Sequence, residues 1–469
     1  MPDASTARFP RRLMPPMMLG AILNPINSSI ISIALVPIAV ALGVTAADAA
    51  WLVSALYLAT AIGQPLVGRL VDLYGPKRLF LAGAGLTALA GIIGVLAPNL
   101  PVLVAARIVL GFGTCAGYPS AMAIIRRVAE RGGLRSPAGV LAALAVATQT
   151  VSVIGPTLGG LLIEWGGWRA TFAVNVPLGL LSLALGWWLV PSLRQGQGAT
   201  EEPVQPRRLD APGVALFASA LTSLLVFLMD PSAGKLWALG VALAGGAAFV
   251  WWERRAADPF IDVRLLAGNR PLLATYLRAL GAQTVAYAFI YGFSQWLEDG
   301  RGLAPSAAGL VLLPVFGVGI LGTILFGRTP RVRANLLAGA SVQLAASAAL
   351  WLFDANTPIW LLFALACPLG IPQGLLSLAN QNALYAQARP DAIGASAGLL
   401  RTFQYVGAII ASASAGLCFG ERATTPGLHE LAVVMVAVSV CTLTLILADR
   451  SLARVGQLSS ASGRTNQPQ

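Results

Sequence analysis

The stretch GRLVDLYGPKR, Gly68 to Arg78, is the one dense run of charge between two long apolar segments. Gly75 offers the positive φ that a tight reversal needs, and Pro76 stops the first helix from continuing. Gly68 is expected to let two helix ends approach closely. Asp72 stands four residues after Gly68 on the same helical face. Lys77 and Arg78 mark the edge of the next segment, as basic residues do at membrane boundaries. An ordinary basic hairpin between two spans accounts for these cations. It does not account for an acid in the last turn of an apolar helix, where the helix dipole disfavours it, so Asp72 is expected to find a partner elsewhere.

Composition around this stretch describes a polytopic membrane protein embedded in a lipid bilayer. Of 469 residues, 57% are hydrophobic and 11% charged, where soluble domains carry about 25% charged; the mean hydropathy is +0.75. Arg8, Arg11 and Arg12 precede an apolar run that outlasts the h-region of a signal peptide, which predicts an uncleaved first span. Crossing roughly 30 Å of hydrocarbon takes about 20 apolar residues. Such windows occur fourteen times, from about 14–42 to about 428–448.

The net charge of +12 raises the question of nucleic acid, and the positions of the cations answer it. Loops and tails on the side of the N-terminus hold 24 of the 31 Lys and Arg residues, and the opposite side holds Arg169, Lys235, Arg301 and Arg422. The positive-inside rule then predicts that both termini are cytoplasmic and that no nucleic acid binds. Cys115, Cys367, Cys418 and Cys441 all fall in apolar segments without ligand spacing, so no disulfide, metal or cofactor is expected.

A weak repeat divides the chain. LFGRTPRVRANLLAGA, from Leu325, echoes LVGRLVDLYGPKRLFLAGA, from Leu66, with Gly327 and Arg328 in the places of Gly68 and Arg69. It pairs span two with span ten. The predicted organisation is an N-terminal six-helix bundle over 1–190, a polar linker over 191–210, two inserted helices over 211–255, a C-terminal six-helix bundle over 256–450 and a disordered tail over 451–469.

Three spans carry polar or backbone-active residues. Span four, ARIVLGFGTCAGYPSAM, places Arg107 about a third of the way along an apolar helix. A cation at that depth costs at least about 2.5 kcal/mol, which favours a cavity or a partner over snorkelling to a headgroup. Span five, QTVSVIGPTLGGLLIEWGGWRATFAVNVPLG, has Pro156 to break local hydrogen bonding and kink the helix, and Gly155, Gly159 and Gly160 to admit another helix closely. Span thirteen, SAGLLRTFQYVGAIIASASAG, places Arg401 and Gln404 one turn apart.

These stretches resemble the major facilitator superfamily. The Gly68–Arg78 run is similar to its G-x-L-x-D-x-x-G-x-[RK]-[RK] loop between spans two and three, and Arg107 begins an R-x-x-x-G pattern with Leu110 where Gln is common. Span five resembles the G-x-x-x-G-P-x-x-G-G antiporter motif, with Val151 in place of the first glycine, followed by W-R-x-x-F-x-x-N-x-P. RLDAPG, DPFIDVRLL and QWLEDGRGLAPSAAGLVLLP look like the fourteen-span drug:proton antiporter branch, which exports multiple drugs and quaternary ammonium compounds. The resemblance covers nearly the whole chain. It implies an all-α major facilitator fold of fourteen transmembrane spans, a single chain in the cytoplasmic (inner) membrane, and export of small amphipathic molecules driven by proton antiport.

One departure bears on chemistry. The branch reads L-D-x-T in span one where this chain has INSS, so Asn27 replaces the acid, and no acid falls at the middle of any window. The polar lining of a central cavity is expected from Asn27, Arg107, Gln149, Gln283, Tyr287, Gln373, Asn380, Arg401 and Gln404. Without a compensating carboxylate such a cavity disfavours permanent cations, and Asn27→Asp is expected to improve their export. Asp72, proposed to cap span thirteen near Ala392, and Glu164 are the candidates for coupling to protons. An uncoupled or differently coupled exporter of a neutral or anionic metabolite is the alternative. An enzyme is disfavoured, since the one histidine, His429, stands at a span edge and no nucleophile triad or phosphate loop occurs.

Overall fold

The computed structural model describes residues 10–131, 138–191, 210–326, 332–388 and 393–452. The echo of the Gly68 stretch around Gly327 and the polar linker lie largely outside them. The described residues form fourteen long helical segments, with a short helix, Val263–Gly268, ahead of the ninth. In the N-terminal half these are α1 (Met14–Leu42), α2 (Ala46–Tyr74), α3 (Pro76–Leu96), α4 (Leu100–Cys115 continued by Gly117–Arg131), α5 (Ala138–Gly166) and α6 (Ala170–Ala173 with Asn175–Leu189). The inserted pair is α7 (Ala211–Met229) and α8 (Leu236–Glu253). Then come α9 (Arg270–Gln295), α10 (Pro305–Phe326), α11 (Val332–Ala349), α12 (Ile359–Ala366 with Gly370–Gln387), α13 (Ile393–Phe419) and α14 (Thr425–Ala448). Eleven of the segments are long and apolar enough to cross a membrane on their own.

The ends follow from local chemistry. Thr45 and Asp48 form a reciprocal capping box at the start of α2. Gly75 takes φ +85° and Pro76 opens α3, as the reversal requires. Gly68 behaves otherwise: a Cβ built there meets nothing within 4 Å, so the loop does not depend on close approach at that position. Lys77 donates to the Trp187 carbonyl of α6 at 2.9 Å, and Arg78 is exposed. The side chain of Asp72 and the chain near Ala392 are outside the described residues.

Helices touch through backbone where side chains are absent. α5 continues through Pro156 as one helix. A Cβ at Gly155 would collide with the Ser29 hydroxyl of α1, and one at Gly159 would stand 2.9 Å from the Ile30 carbonyl. In the second half Gly407 of α13 occupies a similar place against α9, 2.6 Å from the Leu280 carbonyl by the same construction. The two bundles meet by the same device. Gly160 of α5 abuts the backbone of Ser306, and Gly309 of α10 abuts that of Pro156. α2 meets α13 where Ser412 donates to the Ala50 carbonyl at 2.8 Å, and Ala47 donates its N–H to Gly420 at 2.9 Å. α1 meets α9 where Ser294 donates to the Ser32 carbonyl at 2.8 Å. All three seams lie in the half remote from the chain termini.

The inserted pair packs on itself, and α7 leans on the α2–α13 seam, with Ser54 against Met229. Its terminal-side end is tied to the chain that leads into α9. Asp210 accepts the Trp252 indole N–H at 2.8 Å and the Phe260 N–H, and Glu253 accepts the N–H groups of Phe260 and Ile261. Arg69, within the opening stretch, donates to the carbonyls of Asp258 and Pro259 in that same connector.

α9 ends in a π-turn, Trp296–Gly300. Glu298 within it is 7% exposed, and neither carboxylate oxygen has a hydrogen-bond partner among the described residues. Burial first, and the like charge of Asp299 second, push its carboxyl well above the usual carboxylate range.

Two outcomes follow from this packing. Gly159→Val should overpack a contact inside one bundle and cost stability by the ~1–3 kcal/mol typical of overpacking. Gly160→Val should instead keep the bundles apart, exposing a Ser32→Cys reporter, in a background freed of the native cysteines, to thiol reagents from the remote side. Equal effects of the two substitutions on melting and labelling would contradict that division. For Glu298 the folded state binds its proton more tightly than the unfolded chain. Its stabilising contribution is therefore complete below the unfolded value of about 4.3 and is lost as pH rises through the higher folded value. The free energy of unfolding, measured from about pH 5 to about pH 9, should fall more steeply for the wild type than for Glu298→Gln, by up to about 1.4 kcal/mol per pH unit. Parallel pH profiles would refute the burial.

Candidate substrate cavity

A cavity of about 310 Å³ lies between the two bundles. It is lined by α1, α2, α4 and α5 from the first and by α9, α10, α12 and α13 from the second; among the described residues the other six helices contribute nothing. Almost all lining residues come from the middle or the terminal side of their helices, while the inter-bundle seams close the remote side.

The lining is polar for a membrane interior. Glutamines enter from three directions: Gln64 on α2, Gln283 on α9, and Gln373, Gln381 and Gln404 on α12 and α13. α1 adds Asn24, Ser28 and Ser29, a stripe at helical spacing. Arg401 is the one cation among the described lining residues, and no acid joins it. Its guanidinium carbon lies 5.7 Å from the ring centroid of Tyr118, across the seam on α4.

The ceiling is a tyrosine cluster. Tyr57 of α2 contacts Tyr287 of α9 at 5.0 Å and Tyr405 of α13 at 5.7 Å between ring centroids, and its hydroxyl lies 2.8 Å from that of Tyr291. Tyr291 in turn donates to the Ser28 carbonyl at 3.0 Å, joining α9 to α1. Such rings combine apolar area with a hydroxyl that needs a partner, which suits a boundary between a wet cavity and a dry seam.

Five expected lining residues, Gln283, Tyr287, Gln373, Arg401 and Gln404, do line the cavity. Asn27 does not. It is 3% exposed and donates to Asn175 Oδ1 of α6 at 2.6 Å and to the Leu23 carbonyl at 2.9 Å. At 100° per residue, position 27 points well away from the face that carries 24, 25, 28 and 29. Arg107 is also withdrawn from the cavity, at 2% exposure, with Nε on the Leu52 carbonyl at 2.9 Å and Nη1 on the Asn27 carbonyl at 3.4 Å. Backbone carbonyls of neighbouring helices satisfy it in place of an acid or water, and Nη2 has no partner among the described residues. Asn380 is turned toward Arg278, itself paired with Asp449 at 2.6 Å. The side chain of Gln149 is outside the described residues. Glu164 is exposed at the remote side, where Ser306 of α10 donates to it across the seam.

Sequence reasoning missed Tyr57, Tyr118, Tyr291 and Tyr405. The available signal was simple: five of the eight tyrosines gather at this cavity or its ceiling. It also gave Arg69 no role beyond that of a loop cation.

The family profile of the Major Facilitator Superfamily matches residues 17–412. The chain is 35% identical over 422 residues to the uncharacterized transporter YwoD of Bacillus subtilis, covering 89% of this chain and 92% of that one. It is 28% identical to the multidrug efflux pump LfrA of Mycolicibacterium smegmatis, over 88% of this chain and 82% of the relative. Among solved structures the nucleoside transporter NupG superposes with a TM-score of 0.65 at 9% identity, covering 93% of this chain and 99% of that one, a likeness of fold. Two six-helix bundles around a shared cavity, with an inserted pair and a profile match along most of the length, place this chain in the Major Facilitator Superfamily, a family of membrane transporters and not of enzymes.

Proposed function

We propose that the protein exports small amphipathic molecules by alternating access, driven by inward proton movement. The observation that carries this reading is the asymmetry of the cavity. Its lining lies toward the face with both termini, and three backbone-tight seams shut the opposite side. With the termini in the cytoplasm of the inner membrane, as the distribution of Lys and Arg supports, this is the state that loads substrate from inside. The multidrug efflux relative supports the direction of transport. A single chain suffices for the cycle, since the cavity is complete within it.

Coupling runs through acids away from the cavity. Asp72 holds the outward-facing state by capping a helix of the other half, and Glu164 acts at the remote seam, where Ser306 donates to it. Opening that seam parts Ser306 from Glu164 and frees the carboxylate to change partners. A second reading, export of a neutral or anionic metabolite without proton coupling, is favoured by one observation: no carboxylate lines the cavity among the described residues.

Efflux of a fluorescent substrate from cells, measured with and without a protonophore, separates the two. Collapse of efflux is expected, and unchanged efflux would leave the uncoupled reading. Asp72→Asn should lower turnover about tenfold or more while leaving substrate affinity within about twofold, the pattern of a lost conformational step. Wild-type turnover by that variant would remove Asp72 from the cycle.

A further inference from the structure

We infer that the cavity selects molecules carrying a carboxylate, with Arg401 as the anchoring residue; this rests on the reading of the cavity as the substrate site.

The arginines of the spans are treated in three different ways. Arg278 is neutralised by Asp449 at 2.6 Å and held further by Thr275. Arg107 is spent on backbone carbonyls. Arg401 is exposed within the cavity and has neither an acid nor a hydrogen-bond acceptor among the described residues. The Tyr118 ring at 5.7 Å answers the charge while supplying no conventional acceptor for its N–H groups. A planar fork of donors matches the two oxygens of a carboxylate, and charge-assisted pairs of this kind are the strong ones.

The surroundings complete the site. Gln404 follows Arg401 by three residues and shares its face. The hydroxyl-bearing rings of Tyr287 and Tyr405 lie within electrostatic reach of the guanidinium. Amides and hydroxyls can donate to the same anion. A cation, by contrast, meets the positive charge of Arg401 and no carboxylate among the described lining residues. The hollow of about 310 Å³ stands at the small end of ligand pockets. It therefore suits a one- or two-ring amphipath with a single acid group, while the tyrosine ceiling takes the apolar body.

The test uses the full chain, purified in lipid nanodiscs, and matched coumarin probes: a 3-carboxylate, its methylamide and its trimethylammonium analogue. The carboxylate should bind at least tenfold tighter than either partner. Arg401→Gln should collapse the carboxylate-to-amide affinity ratio tenfold or more, and Arg401→Lys should restore part of it as a point charge. If Arg401→Gln fails to fold, the ratio in Arg401→Lys carries the comparison, with a reduction of threefold or more expected. Equal or tighter binding of the ammonium probe by wild type, or a ratio indifferent to both substitutions, would overturn the inference. So would the absence of Arg401-dependent binding across a panel of aromatic carboxylates at millimolar concentration. Failure of export looks different: in proteoliposomes the carboxylate would still bind through Arg401 while no probe is moved.

Discussion

The contact between α5 and α10, one of the three seams that join the two halves of this protein, depends on the absence of side chains at Gly160 and Gly309. Hydrocarbon offers no hydrophobic drive to bring helices together, so association comes from van der Waals contact and interhelical hydrogen bonds, and both need backbones close. α5 carries this constraint twice. Gly155 and Gly159 hold it against α1 within its own bundle, and Gly160 holds it against Ser306 of the other. One helix thus packs within its own bundle through Gly155 and Gly159 and against the other bundle through the next residue, Gly160. The same pattern on α13, with Gly407 toward α9 and Ser412 toward α2, makes the closed seam two-sided.

The second constraint is charge in a medium that does not solvate it. The solution found for each ion determines what that ion can do. An arginine given an acid, as Arg278 is, becomes a structural tie. An arginine given only carbonyls, as Arg107 is, keeps its charge but leaves one nitrogen unpartnered above the tyrosine ceiling. Arg401 is given space. Glu298 is the converse case, an acid given nothing, which is tolerated because a carboxyl can neutralise itself by holding a proton. None of these fates follows from residue type.

That is the line along which the sequence was legible. Hydropathy is a sum over a chain, and it is enough to locate the fourteen helices; the spacing of Gly155, Gly159 and Gly160 marks the close-packed face of α5. Direction around a helix is less forgiving. Asn27 and Ser28 are adjacent, yet one seals α1 to α6 and the other lines the cavity, because successive side chains diverge by 100° and the rotational setting comes from packing. Arg107 is expected in a cavity or beside a partner because a buried cation is expensive, and the carbonyls of Leu52 and Asn27 on neighbouring helices supply a partner that no local pattern announces. The tyrosine ceiling joins α2, α9 and α13, from both halves of the chain, and so has no sequence signature beyond composition.

The stretch that opened the reading, Gly68 to Arg78, gains a further meaning from the inserted helices. Arg69 grips the connector between α8 and α9 by two carbonyls, and that connector is also held by Asp210 and Glu253 at the ends of α7 and α8. The end of α2, a helix of the first bundle, is thereby tied to the chain that starts the second. At its other end α2 meets α13 in the closed seam, with α7 alongside through Met229. Any motion that opened the remote side would have to move α2 relative to α13. The insertion then either travels with one of them or strains its hold on the other, and the hydrogen bonds of Arg69 bind its connector to α2. The two additional helices are in this geometry a brace on one seam only, since the α5–α10 seam has no such companion among the described residues. The fourteen-helix chain is consequently less symmetric than its twelve-helix core, and the opening stretch is where that asymmetry is fastened.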